Sequence, residues 1–494
     1  YNYRNKISWG NNMIDTKEKT KPSTLQAISP LVIMIVLLTI GVGFLKLRAE
    51  PIILICTIIT SMIAKTLGYT WEELQRGIIE KISSALPATL ILWSVGLLIG
   101  SWMFCGTVPM IIYYGVQIIS PRFLYVTAFL ITAVLSTVTG TSWGSAGTIG
   151  VAIMGIAQGL NMNLAITAGA VVAGSYFGDK LSPFSDTTNL APLAAGSELY
   201  DHIKHMLYTT VPASIVSIIV YLIAGLSSKT SLASADSVNV IQSQLSGIYN
   251  WNIILLLPVI IMLAGSILKF PTLPTMVVNS LISVVIGIFV QGFSLKDGFA
   301  SMINGFDIGM TGFNGKIIED IATLINRGGA VSMTTTTILV FCSMGFAGIM
   351  SVSGMLDVVL DAILSRVKST FGVVISTIVS CFTVAFVTGN SYLSILIPGE
   401  LFKKVYLERN LHPKNLSRTL EDSGTVLVPL IPWSAAGAYM AATLGVETLT
   451  YLPWAVLNYT GIIFAIIWAI TGIGITKISE EEKEKFLTKE SEKL

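Results

Sequence analysis

The sequence predicts an all-α integral membrane protein built as two repeats, with broken helices and hairpins meeting at the bilayer midplane. Three observations predict it. The chain has 494 residues, of which 53% are hydrophobic and only 12% charged, and its mean hydropathy is +0.74; that is too little charge to cover a soluble surface. The apolar stretches are continuous rather than alternating, which excludes β-barrel spans, and they suggest about 12 helical crossings, give or take two. Finally, the two halves echo each other. VTGTSWGSAGTIG at 138–150 is matched by VTGNSYLSILIPG at 387–399, and FSDTTNLAPLAAG at 184–196 by LEDSGTVLVPLIPWSAAG at 420–437. Small residues can serve helix packing alone. Interrupted segments recurring in the same order in both halves point instead to a secondary transporter with internal repeats.

Taken in order, the chain opens with a polar segment, 1–24. Polar residues reach Pro22 with no cleavage site after a short apolar core, so the first span is expected to stay as an anchor. The first transmembrane half, 25–226, holds spans at 28–45 and 51–68, then the amphipathic stretch WEELQRGIIEKISSAL. Neither 82–120 nor 123–178 contains a single Asp, Glu, Lys or Arg, and a span at 206–226 closes the half. Residues 227–250, Ser-rich with Lys229 and Asp236, read as the loop between repeats. The second half, 251–476, carries spans near 252–268, 274–292, 331–350, 370–387, 390–402, 423–445 and 452–475. The tail, 477–494, alternates Lys and Glu and reads as a solvated helix or as disordered chain.

Lys403, Lys404, Arg409, Lys414 and Arg418 stand against one acid, Glu408, in 403–418, which predicts a cytoplasmic loop. The 227–250 loop then falls outside and the C-terminal tail inside a cell membrane crossed many times; Lys46 and Arg48 leave the N-terminal side open. A net charge of +2 with no basic tract gives no sign of a nucleic-acid partner. The four cysteines, Cys56, Cys105, Cys342 and Cys381, lie apart in apolar sequence and read as packing residues. His202 and His205 read as loop histidines, and His412 carries no signal.

The candidate site is GDKLSPFSDTTNLAP at 178–192. Charged side chains within a membrane are costly and usually mark ion pathways. Asp179 ends a long uncharged run, Pro183 and Pro192 interrupt the helical pattern, and Ser182, Ser185, Thr187, Thr188 and Asn189 supply oxygens. A hard cation such as sodium suits a carboxylate with hydroxyl, amide and freed carbonyl oxygens. A half-helix beginning near Asp186 would also offer N–H groups to an anion. The same cluster also reads as a polar connecting loop in water. Asp186 is taken as the main carboxylate for which sodium and protons compete, partly buried and beside a half-helix start. Asp179 assists it or gates access, and the sodium ion is expected at Asp186, Thr187 and Asn189.

Glu421, Asp422 and Ser423 repeat this grammar in the second half, before Pro429 and Pro432. They read as further ion- or proton-binding residues or as a helix N-cap. Thr139, Ser142, Thr388, Asn390 and Ser391, from the paired TG[TN]S elements, and Lys180, as a counter-charge to a carboxylate substrate, are candidates for the substrate pathway.

GDKLSPFSDTTNLAP, with SWG at 142–144, GAVVAGSYFGDK at 169–180 and EDSGTVLVPLIPW at 421–433, resembles the NhaC family of sodium–proton antiporters within the larger ion transporter superfamily. The resemblance runs from about residue 25 to about residue 475. It implies an inner-membrane antiporter of about 11 to 13 helices that exchanges sodium for protons. Asp179, Ser182, Asp186, Thr187, Thr188 and Asn189 are the matching motif residues. The family also resembles exchangers that couple sodium and protons to malate and lactate, so an organic-acid exchanger is the main alternative.

The expected partners are sodium and protons, a small carboxylate under the alternative, the lipid bilayer and a second copy of the chain in a homodimer. No cofactor is expected. An intramembrane protease would need HExxH or GxGD, and SYFGD at 175–179 lacks the first glycine. A pump would need a phosphate loop, which GFNGKI at 312–317 does not supply. A channel can use similar polar rings.

Overall fold

The computed structural model describes residues 19–45, 47–228, 235–313, 318–365, 369–480 and 482–483. Most of the polar N-terminal segment and of the charged tail, Lys46, and residues 229–234 of the inter-repeat segment lie outside the described residues. Among the described residues every extended element is a helix, apart from one isolated bridge between Leu411 and Lys477. Among the described residues, eight helices are long and apolar enough to cross a membrane, or up to 11 when each of three bent pairs counts as one span. The chain is a multi-pass α-helical membrane protein.

Its helices are inverted relative to those of a soluble protein. Along the helix Leu199–Ser227, Val211, Ile215, Ile219 and Ile223 form an exposed apolar stripe at four-residue spacing. The opposite face buries His205, Thr209, Ala213, Ser217 and Tyr221. Exposed leucines and isoleucines cost nothing against lipid, whereas polar groups must find partners inside the protein.

Five expectations change. The stretch WEELQRGIIEKISSAL is continuous with the next span in one 35-residue helix, Trp71–Cys105, started by a reciprocal cap between Thr70 and Glu73. Such a helix is about 52 Å long, so its charged first turns can stand clear of a hydrocarbon core of about 30 Å. Within 227–250 the chain forms the helix Ala235–Ile248, because Ile241, Leu245 and Ile248 share a buried face that serine-rich composition hides. His202 and His205 are not in a loop: they lie buried in the first turns of Leu199–Ser227. The loop expected at 403–418 is largely helical: Lys403 and Lys404 belong to Ser391–Glu408, and His412 caps Pro413–Gly424, which holds Lys414 and Arg418, by accepting from Lys414 N. The crossing expected at 423–445 is two helices, Pro413–Gly424 and Ala435–Leu444, joined by an unwound stretch holding Pro429 and Pro432. Proline removes a backbone donor and collides with the preceding turn, so two of them there prevent a continuous helix.

The echoed sequences fold alike. In the first half, helix Leu124–Thr139 ends at Gly140 (φ 70°), Thr141 caps the next helix, and the chain returns through Ser142–Ser145 to Val151–Gly159. In the second half, helix Thr370–Thr388 ends at Gly389 (φ 58°), Asn390 caps the next helix, and the chain returns through Ser391–Glu408. Each hairpin is followed by a broken helix: Leu164–Leu181 then Asp186–Ala195, and Pro413–Gly424 then Ala435–Leu444.

The two hairpin bases lie at opposite ends of Leu199–Ser227. Arg122, before the first hairpin, packs on Gly225. The chain after the second hairpin joins the segment around Gly474, which His205 contacts. The hairpins therefore enter from opposite ends and their tips point toward each other, the geometry of inverted repeats.

The second echo is shifted relative to the sequence reading. Asp179 and Lys180 end the first half of one broken helix, and Glu421 and Asp422 end the first half of the other. Ser185 and Ser434 each cap the second half. The last turn holding Glu421 and Asp422 therefore corresponds to the last turn holding Asp179 and Lys180, not to the Ser185–Asp186 stretch with which the sequence aligned it. The two breaks differ in length, which is why the sequence register slipped.

Candidate functional site

Hairpin tips and helix breaks meet at one place, and the glycine at each tip permits the close approach. A methyl group on Gly140 would meet the Phe184 carbonyl carbon at 2.7 Å, and one on Gly389 would meet Ser434 Cα at 3.1 Å. Ala435 N donates to Gly389 O at 3.0 Å, tying the second tip to the second break. Between these elements lies a cavity of about 420 Å³, lined by Thr139, Gly140, Thr141, Ser142, Asp179, Ser185, Asp186, Thr187, Asn390, Ser391, Tyr392, Thr425 and Ala435, among others. The first turns of four helices, beginning at Ser142, Asp186, Ser391 and Ala435, line it together. Free backbone N–H groups and the positive ends of helix dipoles therefore converge there.

Two carboxylates face this cavity, and their settings differ. Asp179 is buried, 7% exposed, and its Oδ2 accepts from Ser142 Oγ at 2.8 Å. It sits in the last turn of its helix, where the dipole disfavours a negative charge, so the serine across the hairpin tip offsets part of that cost. Asp186 begins the following half-helix, as expected, but it is exposed rather than partly buried. Its nearest side-chain partner is Tyr392 Oη, 3.4 Å from Oδ2. The expected burial fails because Asp186 points into the open side of the cavity while its neighbours Thr187 and Thr188 point inward.

Of those two threonines, Thr188 ties the second half of its own broken helix back to the first, and Thr187 connects the repeats. Thr188 Oγ1 donates to Asp179 O at 2.7 Å, and Thr187 Oγ1 donates to Glu421 Oε1 at 3.1 Å. Asn189, expected on sodium, instead donates from Nδ2 to Pro183 O and Ser185 O at 2.9 and 2.7 Å; it braces the break from an exposed position. Ser182 does similar local work, accepting from Phe184 N at 3.3 Å.

Behind Thr187 lies a buried layer of charge. Lys180 Nζ is ion-paired with Asp422 Oδ1, and Thr209 Oγ1 donates to the same oxygen at 3.2 Å. Glu421 and Asp422 are the acids expected as an N-cap; they occupy the last turn of Pro413–Gly424 instead. The dipole there opposes them, and Lys180 compensates Asp422. Lys180 is thus committed to protein and does not line the cavity. Ser423 turns back to its own helix, donating to Thr419 O, and Thr388 likewise bonds Val384 O at 2.7 Å. Thr139 lines the cavity while bonding Leu135 O at 2.9 Å, and Asn390 and Ser391 line it from the second tip.

Sequence reading missed Thr209, Tyr392 and Thr425, and it placed Arg418 in a cytoplasmic loop, whereas Arg418 lies buried in the helix Pro413–Gly424. Arg418 is fully buried and donates from Nη1 to Gly474 O at 2.9 Å. Its signal was available: it stands four residues before Asp422, one helical turn away. Counting Asp179, Glu421 and Asp422 against Lys180 and Arg418 gives three buried acids to two buried cations, a surplus of one negative charge when all are ionised. That surplus matches one monovalent cation or one proton. Among the described residues no group of three His, Cys, Asp or Glu side chains could hold a metal ion.

A family model for the Na+/H+ antiporter family matches residues 52–188 and 174–473. A protein called an uncharacterized Na(+)/H(+) antiporter from Haemophilus influenzae is 50% identical over 469 residues, covering 95% of this chain and 100% of that protein. The Na(+)/H(+) antiporter NhaC of Alkalihalophilus pseudofirmus is 37% identical over 446 residues, 90% of this chain and 95% of its own. The malate-2H(+)/Na(+)-lactate antiporter of Bacillus subtilis is 32% identical over 471 residues, 95% of this chain and 99% of its own. The matched residues include both hairpin tips and both broken helices, and the chain belongs to the Na+/H+ antiporter family.

Proposed function

We propose that this protein exchanges sodium for protons across the cell membrane, at the cavity between the two hairpin tips. The observation that carries the reading is the unbalanced buried carboxylate there. Asp179 faces the cavity with a hydroxyl donor on one side and a half-helix C-terminus behind it. Removal from water favours the neutral form of a carboxyl group, and an adjacent cation favours the charged form. One carboxylate therefore holds a proton or a sodium ion but not both, which is the condition for exchange. Asp179 takes this role because of its burial; Asp186, exposed beside Tyr392, receives the hydrated ion at the cavity mouth. Ser142, Thr187 and backbone carbonyls at the breaks complete an oxygen shell.

The inverted hairpins supply the second requirement, access from alternate sides, since tilting one repeat against the other opens the same cavity to either end. The lysine- and arginine-rich segment 403–418 faces the cytoplasm in this reading, with the segment around 227–250 outside.

A second reading has its own support. The cavity of about 420 Å³ has room for roughly a dozen waters, more than a sodium ion needs. Four helix N-termini at its wall suit a carboxylate, and a relative is named for malate and lactate exchange. In this alternative a small organic acid travels with the ions.

Purified protein in liposomes decides between them. An imposed sodium gradient is expected to move internal pH without added organic acid. Sodium-dependent pH change that appears only with malate or lactate would favour the second reading, and the absence of both would refute each.

A further inference from the structure

The repeats are alike in fold, yet the last turns of their first half-helices differ in charge. One ends Asp179–Lys180 and the other Glu421–Asp422. Counted from the helix ends, Asp422 corresponds to Asp179, and Lys180, one residue further along the first repeat, is the residue that pairs with Asp422. Both side chains are buried, 1% and 0% exposed.

The surroundings of the pair are those of an ion site. Asp422 Oδ1 receives Lys180 Nζ and, at 3.2 Å, the Thr209 hydroxyl. Its other oxygen, Oδ2, is buried with no hydrogen-bond partner. Gly461 faces the pair from the helix Val456–Thr471, and a methyl group there would come within 3.4 Å of Asp422 Oδ1 and 3.6 Å of Lys180 Nζ. A carboxylate, a hydroxyl and a half-helix C-terminus in dry surroundings would attract a mobile cation. The lysine ammonium already stands there.

We propose that Lys180 is a tethered cation: it holds at Asp422 the position a mobile sodium ion would otherwise take, and so fixes the number of sodium ions carried per cycle. This rests on the sodium–proton reading above and adds a determinant of stoichiometry to it. Lys180 acts on transport as a specificity residue, since it touches neither the cavity nor the ion held by Asp179. An uncharged side chain of similar length would vacate the position without filling it. Sodium would then bind at Asp422 beside Thr209, and each cycle would carry one more positive charge.

The test counts sodium bound to purified protein by equilibrium dialysis with radioactive sodium at alkaline pH, alongside exchange in liposomes at set membrane potentials. Lys180→Met is expected to bind one more sodium ion per chain than wild type and to change the potential dependence of exchange. Lys180→Arg and the double variant Lys180→Met/Asp422→Asn are expected to bind the wild-type number. A folded Lys180→Met protein that binds the wild-type number overturns the proposal. Should Lys180→Met be recovered only in sodium, with a melting temperature that rises with sodium concentration, the proposal stands. If it stays unfolded in sodium while the double variant folds, the carboxylate has no affinity for a mobile cation and the proposal fails. Wild type run beside them separates the two readings: no sodium-coupled proton movement there sinks the transport reading itself, whereas normal exchange with an unchanged Lys180→Met count sinks only the tethered cation.

Discussion

Lys180 and Asp422, 242 residues apart, form a buried ion pair that joins the last helical turn before one break to the last turn before the other. Removing one member of such a pair leaves the other buried and unpaired, at a cost of about 3–5 kcal/mol, whereas replacing both is often nearly neutral. Asp422→Asn is therefore expected to lower the melting temperature in detergent sharply, and Lys180→Met/Asp422→Asn to recover most of the loss. Equal melting temperatures for the single and double variants would show that the pair contributes little.

The two cavity aspartates are expected to behave differently. Asp179→Asn keeps the shape and the Ser142 contact but removes the buried charge, so exchange should vanish while the protein stays folded. Asp186→Asn changes an exposed carboxylate, so exchange should persist with a raised half-saturating sodium concentration. Sodium-dependent pH change in liposomes measures both, and the reverse ranking would return the main role to Asp186.

Ser142→Ala removes the hydroxyl that donates to Asp179 Oδ2 at 2.8 Å. A hydrogen bond to a charged group contributes about 1.5–3 kcal/mol, so apparent sodium affinity should fall at least about tenfold. Sodium titration of exchange at fixed pH reads this directly. Ser423→Ala, whose hydroxyl bonds its own helix, should leave affinity near wild type.

At the hairpin tips, Gly140→Ala and Gly389→Ala combine a left-handed backbone with close contact to a helix break. Gly312 has a similar φ, 68°, but open space around it. Backbone strain alone costs about 1 kcal/mol or more, and all three variants share it. Only the tip variants should also lose transport rate. A transport loss as large in Gly312→Ala would mean the tips have no special role.

Orientation is open to labelling because the four native cysteines are all buried. Lys404→Cys, on an 81% exposed side chain, should react with impermeant thiol reagent only from the cytoplasmic side. Ser243→Cys, exposed on the helix Ala235–Ile248, should react only from outside. Labelling of an active Lys404→Cys protein from outside would reverse the topology.

The sequence by itself determined the membrane class, the approximate number of crossings and the repeated order of interruptions. These are written locally: the length of an apolar run, a glycine or proline that stops a helix, a polar cluster beside it. It marked neighbourhoods that the fold brings together, since Ser142, Asp179, Asp186, Thr187 and Asn390 meet at one cavity.

Only the tertiary structure decided the burial and partners of the residues within them. Whether Asp179 or Asp186 is buried depends on which side of a half-helix start faces protein. That Glu421 and Asp422 end a helix rather than begin one depends on where the chain unwinds. Both are settled by contacts such as Thr187 with Glu421 and Lys180 with Asp422, more than 230 residues apart. A charged side chain inside a membrane protein takes its state from whatever partner the fold brings to it, and local sequence holds no record of that partner.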